Sequence, residues 1–231
     1  MGISQWGTAL WKDIYQNVFE ANRWILYLEG LGVTLQLTVG AIILGTLLGI
    51  LVYFMRASRF RVLRGIGYVY VDVIRGTPMV LQLLIIYFIV FGSIKIDQRI
   101  AAIVAFGINS GAYVSEIVRA GIEAVDKGQT EAGRSLGLKH FETMAFIVMP
   151  QAVKNIFPTY VNEFIVLIKE TAIVGYISLT DLTKVYSVIQ SRTYSGFTPL
   201  IVSGIIYYLI VKILTICLKQ VERKLKTSDN R

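Results

Sequence analysis

The stretch that decides the fold runs from residue 32 to residue 64 and reads GVTLQLTVGAIILGTLLGILVYFMRASRFRVLR. Residues 32–55 carry no charge and exceed the roughly 20 residues that a helix needs to cross a hydrocarbon core of about 30 Å. Four arginines follow at once, at positions 56, 59, 61 and 64. Because basic residues favour the cytoplasmic side, the stretch predicts a first membrane span that enters from outside.

The composition of the whole chain agrees with a membrane protein. Of its 231 residues, 55% are hydrophobic and only 16% are charged, which is too apolar for an ordinary soluble domain. The net charge of +8 comes from short basic runs beside apolar segments, so it indicates membrane topology rather than nucleic-acid binding. With one cysteine and one histidine, the chain offers no internal disulfide, no thiolate metal site and no convincing nucleophile and base. We therefore predict neither catalytic residues nor a metal site.

Four further spans are predicted downstream of the first. The basic residues after the last apolar run place the carboxyl terminus in the cytoplasm. Since the loop over residues 129–151 is also cytoplasmic, the chain must cross outward once between them. The predicted spans are residues 32–55, 67–91, 98–125, 157–177 and 200–218. The sequence thus predicts an all-helical integral membrane protein with five transmembrane helices, its amino terminus outside and its carboxyl terminus inside.

Three regions follow from this topology. Residues 1–31 form an external segment that suits an interfacial helix, because it mixes polar groups with aromatic ones, namely Trp6, Trp11, Tyr15, Phe19 and Trp24. Residues 32–218 form the transmembrane domain, which includes a cytoplasmic loop over 127–150. Residues 219–231 form a basic cytoplasmic tail. Asp97 is predicted to cap the third span, and Lys127 with Gly128 is predicted to end it.

The cytoplasmic loop contains the most specific motif in the chain. It reads KGQTEAGRSLGL over residues 127–138 and IVMP over 147–150. We expect Thr130 to cap a short helix of about seven residues that Gly137 ends. The loop closely resembles the EAA signature of ABC importer permeases, although Gly133 stands for the usual second alanine and Met149 for a common leucine. The resemblance implies a coupling helix that docks on an ATPase subunit through Glu131, Ala132, Gly133, Ser135 and Gly137.

Other segments resemble the permeases of polar amino acid uptake systems. These are RGTP at 75–78, GAY at 111–113, RAG at 119–121 and KETA at 169–172, and the likeness extends from about Gly32 to Glu222. It implies a type I ABC importer permease core, paired with a second copy or a close paralogue in the bacterial cell membrane, among its lipids. It also implies a separate ABC ATPase dimer and a periplasmic or extracellular amino acid-binding protein. The chain lacks GxxxxGK[ST], so we expect it to bind no cofactor itself and its partner ATPase to use ATP and Mg²⁺.

Ionisable groups inside spans are costly, which makes each a candidate substrate contact. Glu163 is the first candidate, with Asn162 beside it and Thr159 one turn earlier. A carboxylate at this depth suits the ammonium of an amino acid or a cationic side chain. The alternative is a structural salt bridge between Glu163 and another span.

Spans two and three supply the remaining candidates. Asn109, Tyr113 and Glu116 recur at spacings of four and three along one helical stripe, and Ser110 adds a hydroxyl. The alternative for Glu116 is an ion pair with Arg119 or Arg75. Pro78 predicts a break in span two, where Thr77 either contacts substrate or lies in a packing kink. Asp72 and Arg75 are predicted to form an ion pair.

The sequence therefore favours a permease for polar amino acids, basic ones first, that provides an alternating-access pathway. A permease for glutamine or another polar solute is the nearest alternative. A passive channel is the rival from another class, and it would not need a docking loop for an ATPase.

Overall fold

The protein is helical throughout the part of the chain that its structure describes. A computed structural model gives the backbone of residues 3–229 and the side chains of residues 7–223. Within this range ten α-helices occur: α1 (Ile3–Ile14), α2 (Trp24–Ala57), α3 (Arg61–Arg75), α4 (Met79–Leu84), α5 (Gln98–Glu123), α6 (Lys127–Ser135), α7 (His140–Thr143), α8 (Met149–Glu170), α9 (Leu182–Thr193) and α10 (Phe197–Asp229). Helical turns of other pitch lie at Tyr15–Phe19, Glu20–Asn22, Ile85–Val90, Met144–Val148 and Thr171–Ile177.

The five predicted spans all fall on helices. Among the described residues, α2, α5 and the Phe197–Arg223 part of α10 are long and apolar enough to cross a membrane. Helix α3, together with α4 and its π-helical extension, is a fourth candidate if this bent pair counts as one span. The fourth predicted span lies largely in α8, whose hydropathy is lowered by the polar residues Asn162, Glu163 and Lys169. The number of crossings and their direction remain predictions.

The second predicted span consists of two helices. Helix α3 ends at Arg75, α4 begins at Met79, and the two axes are bent by 109°. Pro78 has no N–H to bond to the carbonyl of Ile74, and its ring disfavours helical geometry at the residue before it. Its backbone takes φ −63° and ψ 135°, which is extended. The predicted break is confirmed, and residues 67–91 do not form one continuous helix.

Glycines set the close approach of α2 and α5 at the centre of the fold. A Cβ atom added at Gly45 would lie 2.8 Å from Cβ of Ser110, and one at Gly49 would lie 2.7 Å from Cβ of Val114. No side chain fits at such distances, so small residues allow the two backbones to come together. The surrounding buried core includes Leu37, Leu83, Phe106, Leu167 and Ile177. Helix α5 is thereby fixed between α2 and α8, where its polar side chains face neighbouring helices.

The first and last helices meet at one end of the molecule. Thr198 at the start of α10 donates a hydrogen bond to the carboxylate of Asp13, and Thr193 donates to Oδ1 of Asn17 at 2.8 Å. The described part of the predicted amino-terminal segment therefore packs on α9 and α10, through Asp13 and Asn17. Its aromatic side chains are exposed at Trp11, Tyr15, Phe19 and Trp24. The side chain of Trp6 lies outside the described residues.

Candidate functional site

The carboxyl group of Glu163 is buried between α8 and α5. The residue is only 8% exposed, and the hydroxyl of Ser110 on α5 donates to its Oε1 atom at 3.1 Å. Among residues with described side chains, no lysine or arginine lies within ion-pair distance of it. Two of the predicted substrate-binding residues are therefore in contact. The alternative of a structural salt bridge is not realised at Glu163 within the described part of the chain.

Thr159 and Asn162 lie on α8 but do not join Glu163 in its buried contact. Both side chains are exposed, and no hydrogen bond joins either of them to Glu163 in the described residues. Helix geometry accounts for Asn162, because neighbouring residues point about 100° apart around the axis. Thr159 shares the face of Glu163 but lies one turn earlier, where the side chain is exposed. The structure thus brings Ser110 to Glu163, but neither Thr159 nor Asn162.

Gln82 is a functional candidate that the sequence reasoning missed. This buried glutamine on α4 uses its Nε2 atom to donate to the carbonyl of Ile74 at 2.8 Å, the carbonyl of Thr77 at 3.1 Å and Oγ1 of Thr77 at 2.8 Å. Its Oε1 atom accepts from Nδ2 of Asn109 on α5 at 3.0 Å. Freed carbonyl groups at membrane depth need such partners. Gln82 therefore satisfies the helix break and links it to α5.

The sequence contains a feature that could have identified Gln82. A lone glutamine stands four residues after Pro78 in an otherwise apolar segment. A polar side chain one turn into the helix that follows a proline break is in reach of the carbonyls that the proline leaves unbonded. Thr77 and Asn109, both predicted as substrate contacts, are brought together through this amide. Thr77 also donates to the carbonyl of Val73 at 2.8 Å.

Glu116 forms ion pairs with three arginines. It accepts hydrogen bonds from Arg56 and from Nη2 of Arg119, the latter at 2.7 Å, and Nη1 of Arg75 lies 3.7 Å from its Oε2 atom. The Glu116 side chain is 19% exposed and that of Arg56 is 10% exposed, so the pair is largely shielded from solvent. The ion-pair alternative for Glu116 is therefore the one that the structure shows.

The predicted ion pair between Asp72 and Arg75 is wrong. Arg75 turns instead toward α5, where its guanidinium lies 3.7 Å from Glu116 and 5.4 Å from the ring centre of Tyr113. The carboxylate of Glu116 and the face of an aromatic ring together attract the guanidinium more than one exposed carboxylate on the same helix. Tyr113, predicted as a substrate contact, is in this way placed beside an arginine.

The motif of the cytoplasmic loop folds as the short helix α6. The helix runs from Lys127 to Ser135, and Asp126 caps it by accepting from the N–H of Gly128 at 2.7 Å. The prediction that Thr130 caps the helix is wrong, and so is the prediction that Lys127 and Gly128 end the third span. Helix α5 ends at Glu123, and an aspartate directly before Lys127 is the stronger cap because its carboxylate reaches the first free N–H groups.

Two glycines shape α6. A Cβ atom at Gly133 would lie 2.8 Å from Cδ1 of Ile147 and 2.8 Å from Cγ2 of Thr143, so Gly133 packs against the rest of the loop rather than outward. Gly137 has φ +87°, a conformation that glycine adopts at low cost, and it ends the helix as predicted. The side chains of Glu131, Ala132 and Ser135 are exposed.

An apolar surface lies beside these residues. Leu136 is 81% exposed, Phe141 is 79% exposed and Phe146 is 74% exposed. Large apolar side chains at this exposure are typical of surfaces that another protein or a membrane covers. The loop thus combines a polar helix face with exposed apolar side chains, which is the chemistry of a docking surface.

Comparison with known proteins agrees with this arrangement of helices and loop. The family described as "Binding-protein-dependent transport system inner membrane component" matches residues 14–227. The arginine transport system permease protein ArtQ of Bacillus subtilis (strain 168) is 48% identical over 204 residues, which cover 87% of this chain and 93% of that protein. The glutamine transport system permease protein GlnP of Escherichia coli (strain K12) is 33% identical over 204 residues, covering 87% and 93%.

Solved structures support the same family and fold. The crystal structure of an amino acid ABC transporter with histidines contains a chain that is 44% identical, with a TM-score of 0.83, covering 86% of this chain and 94% of that one. An inward-facing structure of the MetNI methionine ABC transporter matches at a TM-score of 0.69 and 19% identity, covering 89% and 98%, and this likeness concerns the fold alone. The chain belongs to the family of binding-protein-dependent transport system inner membrane components, among relatives named as amino acid permeases.

Proposed function

We propose that this chain is the membrane-spanning permease subunit of an ATP-driven importer for polar amino acids, with basic amino acids preferred. The observation that carries the preference is Glu163, a carboxylate in a predicted span whose one hydrogen-bond donor in the described residues is Ser110. A buried carboxylate without a cation is costly. A cationic substrate offsets that cost while it is bound. The relatives named for arginine and glutamine support the substrate class.

The proposal includes partners that the chain itself does not contain. Two copies, or this chain and a close paralogue, enclose an alternating-access pathway of five spans each, with amino termini outside and carboxyl termini inside. A separate ABC ATPase dimer docks on the loop that carries α6 and uses ATP and Mg²⁺, while this subunit binds no cofactor. The assembly lies in the bacterial cell membrane, and an external binding protein delivers the amino acid to it. The family description, which names dependence on a binding protein, supports this assembly.

Competition uptake tests the substrate preference. Proteoliposomes that contain the assembled transporter are given labelled arginine with unlabelled arginine or glutamine as competitor. Replacing Glu163 by Gln is expected to reduce the preference for arginine by about tenfold or more, because one charge-assisted interaction of about 1.5–3 kcal/mol is lost. The conservative change Glu163→Asp, which keeps the charge, is the matched control and should retain part of the preference.

The outcomes separate the alternatives. An unchanged preference in Glu163→Gln would remove this residue from the substrate site and leave a glutamine-type permease as the better assignment. Uptake that continues without ATP and without a binding protein would favour a passive channel. Uptake of basic amino acids that requires both ATP and Glu163 supports the proposal.

A further inference from the structure

A charged cavity lies between α2, α3 and α5, away from Glu163. Its volume is about 460 Å³, and its walls include Arg56, Tyr68, Asp72, Arg75, Gly76 and Glu116. Pockets of about 300–1,000 Å³ are typical of small-molecule sites. The cavity reaches from the helix break at Gly76 toward Arg56, at the end of α2 that we place near the cytoplasm. Neither Glu163 nor Ser110 borders it.

Part of the charge in this cavity is already neutralised. The Arg56 side chain, 10% exposed, pairs with Glu116, and Glu116 is bound on its other side by Arg119. Arg56 also lies 4.6 Å from the ring centre of Tyr68. These groups hold one another in place, so they form the fixed wall of the cavity.

Two opposite charges in the same cavity are not neutralised in this way. Asp72 is exposed and takes part in no ion pair among the described side chains. Arg75 is 44% exposed, and its 3.7 Å distance to Glu116 exceeds that of a hydrogen bond. The two residues lie three apart on α3, so their side chains leave the same face of the helix. The cavity wall thus contains one carboxylate without an ion pair among the described side chains, and one partly exposed guanidinium whose nearest carboxylate, that of Glu116, lies 3.7 Å away.

We propose that this cavity binds the zwitterionic part of an amino acid from the cytoplasmic side, with its α-ammonium on Asp72 and its α-carboxylate on Arg75. The α-ammonium and the α-carboxylate of an amino acid are attached to the same carbon. They can therefore bind two opposite charges that lie one helical turn apart. The guanidinium fork matches a carboxylate in a bidentate manner. The choice of an amino acid as ligand rests on the proposed function, whereas the charged pair and the cavity do not.

Equilibrium binding of radiolabelled arginine to the permease and its ATPase in nanodiscs, without the binding protein, tests this site. The measurement is made in the Glu163→Gln background, so that the carboxylate proposed above does not contribute. One arginine per permease chain is expected to bind. Adding Asp72→Asn or Arg75→Gln should lower the association constant about tenfold or more, since each removes a charge-assisted contact. Arg64→Gln, on the same helix but not part of the cavity wall, is the matched control and should leave it unchanged.

Ligand variants test the same assignment without a change to the protein. N-acetylarginine lacks the ammonium and argininamide lacks the carboxylate, so both should compete about tenfold more weakly than arginine. This arm applies even if Asp72→Asn fails to fold. Because a phosphatidylethanolamine headgroup carries the same pair of charges, binding is compared in nanodiscs with and without that lipid. Equal arginine affinity in the two is expected.

Four results would overturn the site. They are an absence of arginine binding in the Glu163→Gln protein, binding that neither cavity substitution weakens, competition by both blocked analogues that is as strong as that by arginine, and loss of binding when phosphatidylethanolamine is present. The last result would assign the cavity to a lipid. If Glu163 proves irrelevant to transport, the effects of Asp72 and Arg75 on arginine binding still decide this site separately.

Discussion

Glu116 and Glu163 are both glutamates of predicted spans, yet their surroundings are opposite. Glu116 is held by Arg56 and Arg119, with Arg75 close by, whereas Glu163 receives a hydrogen bond from the hydroxyl of Ser110. Glu163 is also the more deeply buried of the two side chains. The better neutralised carboxylate is therefore the more exposed one.

This contrast shows that residue type and depth do not decide the role of a charge in a membrane. A carboxylate that is paired with arginines stabilises the contact of three helices, and removing it leaves the shielded guanidinium of Arg56 uncompensated. A carboxylate that lacks a cation contributes little to stability and is free to bind one. Glu116 is thus a structural residue and Glu163 is the candidate for substrate.

The largest expected effect is on stability when Glu116 is changed. Replacing it by Gln should lower the free energy of unfolding by about 3 kcal/mol, because the shielded guanidinium of Arg56 loses its partner, whereas the more exposed Arg119 adds little. Glu163→Gln should change it by about 1 kcal/mol or less, since no ion pair is lost. Thermal unfolding of the purified variants in detergent, monitored by size-exclusion chromatography, measures both changes in stability.

The control for this comparison is Glu123→Gln. Glu123 also pairs with Arg119, but its side chain is 61% exposed, so its loss should cost at most about 1 kcal/mol. If Glu163→Gln proves as damaging as Glu116→Gln, the distinction between a structural and a substrate-binding carboxylate fails.

A smaller effect is expected at Gln82, whose amide joins the helix break to α5. Gln82→Leu should lower the free energy of unfolding by about 1–2 kcal/mol, because the carbonyls of Ile74 and Thr77 and the amide of Asn109 lose their partner. The exposed Gln36→Leu is the control and should shift stability by no more than about 0.5 kcal/mol. The thermal midpoint in detergent reports the difference. Equal midpoints for the two variants would show that the break does not depend on this amide.

The smallest effect on stability is expected at Glu131, a third carboxylate that lies exposed on α6. Glu131→Lys should change the free energy of unfolding by about 0.5 kcal/mol or less, yet it should uncouple ATP hydrolysis from transport because it reverses charge on the docking surface. Parallel ATPase and uptake assays in proteoliposomes measure the coupling. Glu20→Lys, an exposed position that is not part of the loop with α6, is the control and should keep the coupling. Normal uptake by Glu131→Lys at normal ATPase rates would contradict the docking role of α6.

Local features of the chain were predictable from sequence. The apolar runs located α2, α5 and α10 because hydropathy over about 20 residues does not depend on tertiary contacts. The break at Pro78 followed from the covalent structure of proline, and the end of α6 followed from the tolerance of glycine for positive φ. The contact between Ser110 and Glu163 joins two residues that were each proposed as substrate contacts.

Features that depend on distant partners were not predictable in this way. Asp72 and Arg75 are neighbours on α3, but the guanidinium is attracted by Glu116 on another helix. The role of Gln82 became visible only when the bend placed its amide over the carbonyls that Pro78 leaves free. That Asp126 and not the predicted Thr130 caps α6 depended on where the helix begins, and helix boundaries are set by tertiary contacts as well as by local sequence.

The hydrogen bond between Asp13 and Thr198 also bears on how the protein is made. Its two residues are 185 positions apart, so the first leaves the ribosome long before the second is synthesised. The pair between Asn17 and Thr193, 176 positions apart, has the same property. Contacts of such sequence separation form late, because the intervening chain must first be inserted. The end of the molecule where α1 meets α9 and α10 therefore closes only once the final helix has been translated, so in an incompletely synthesised chain α1 lacks these two partners.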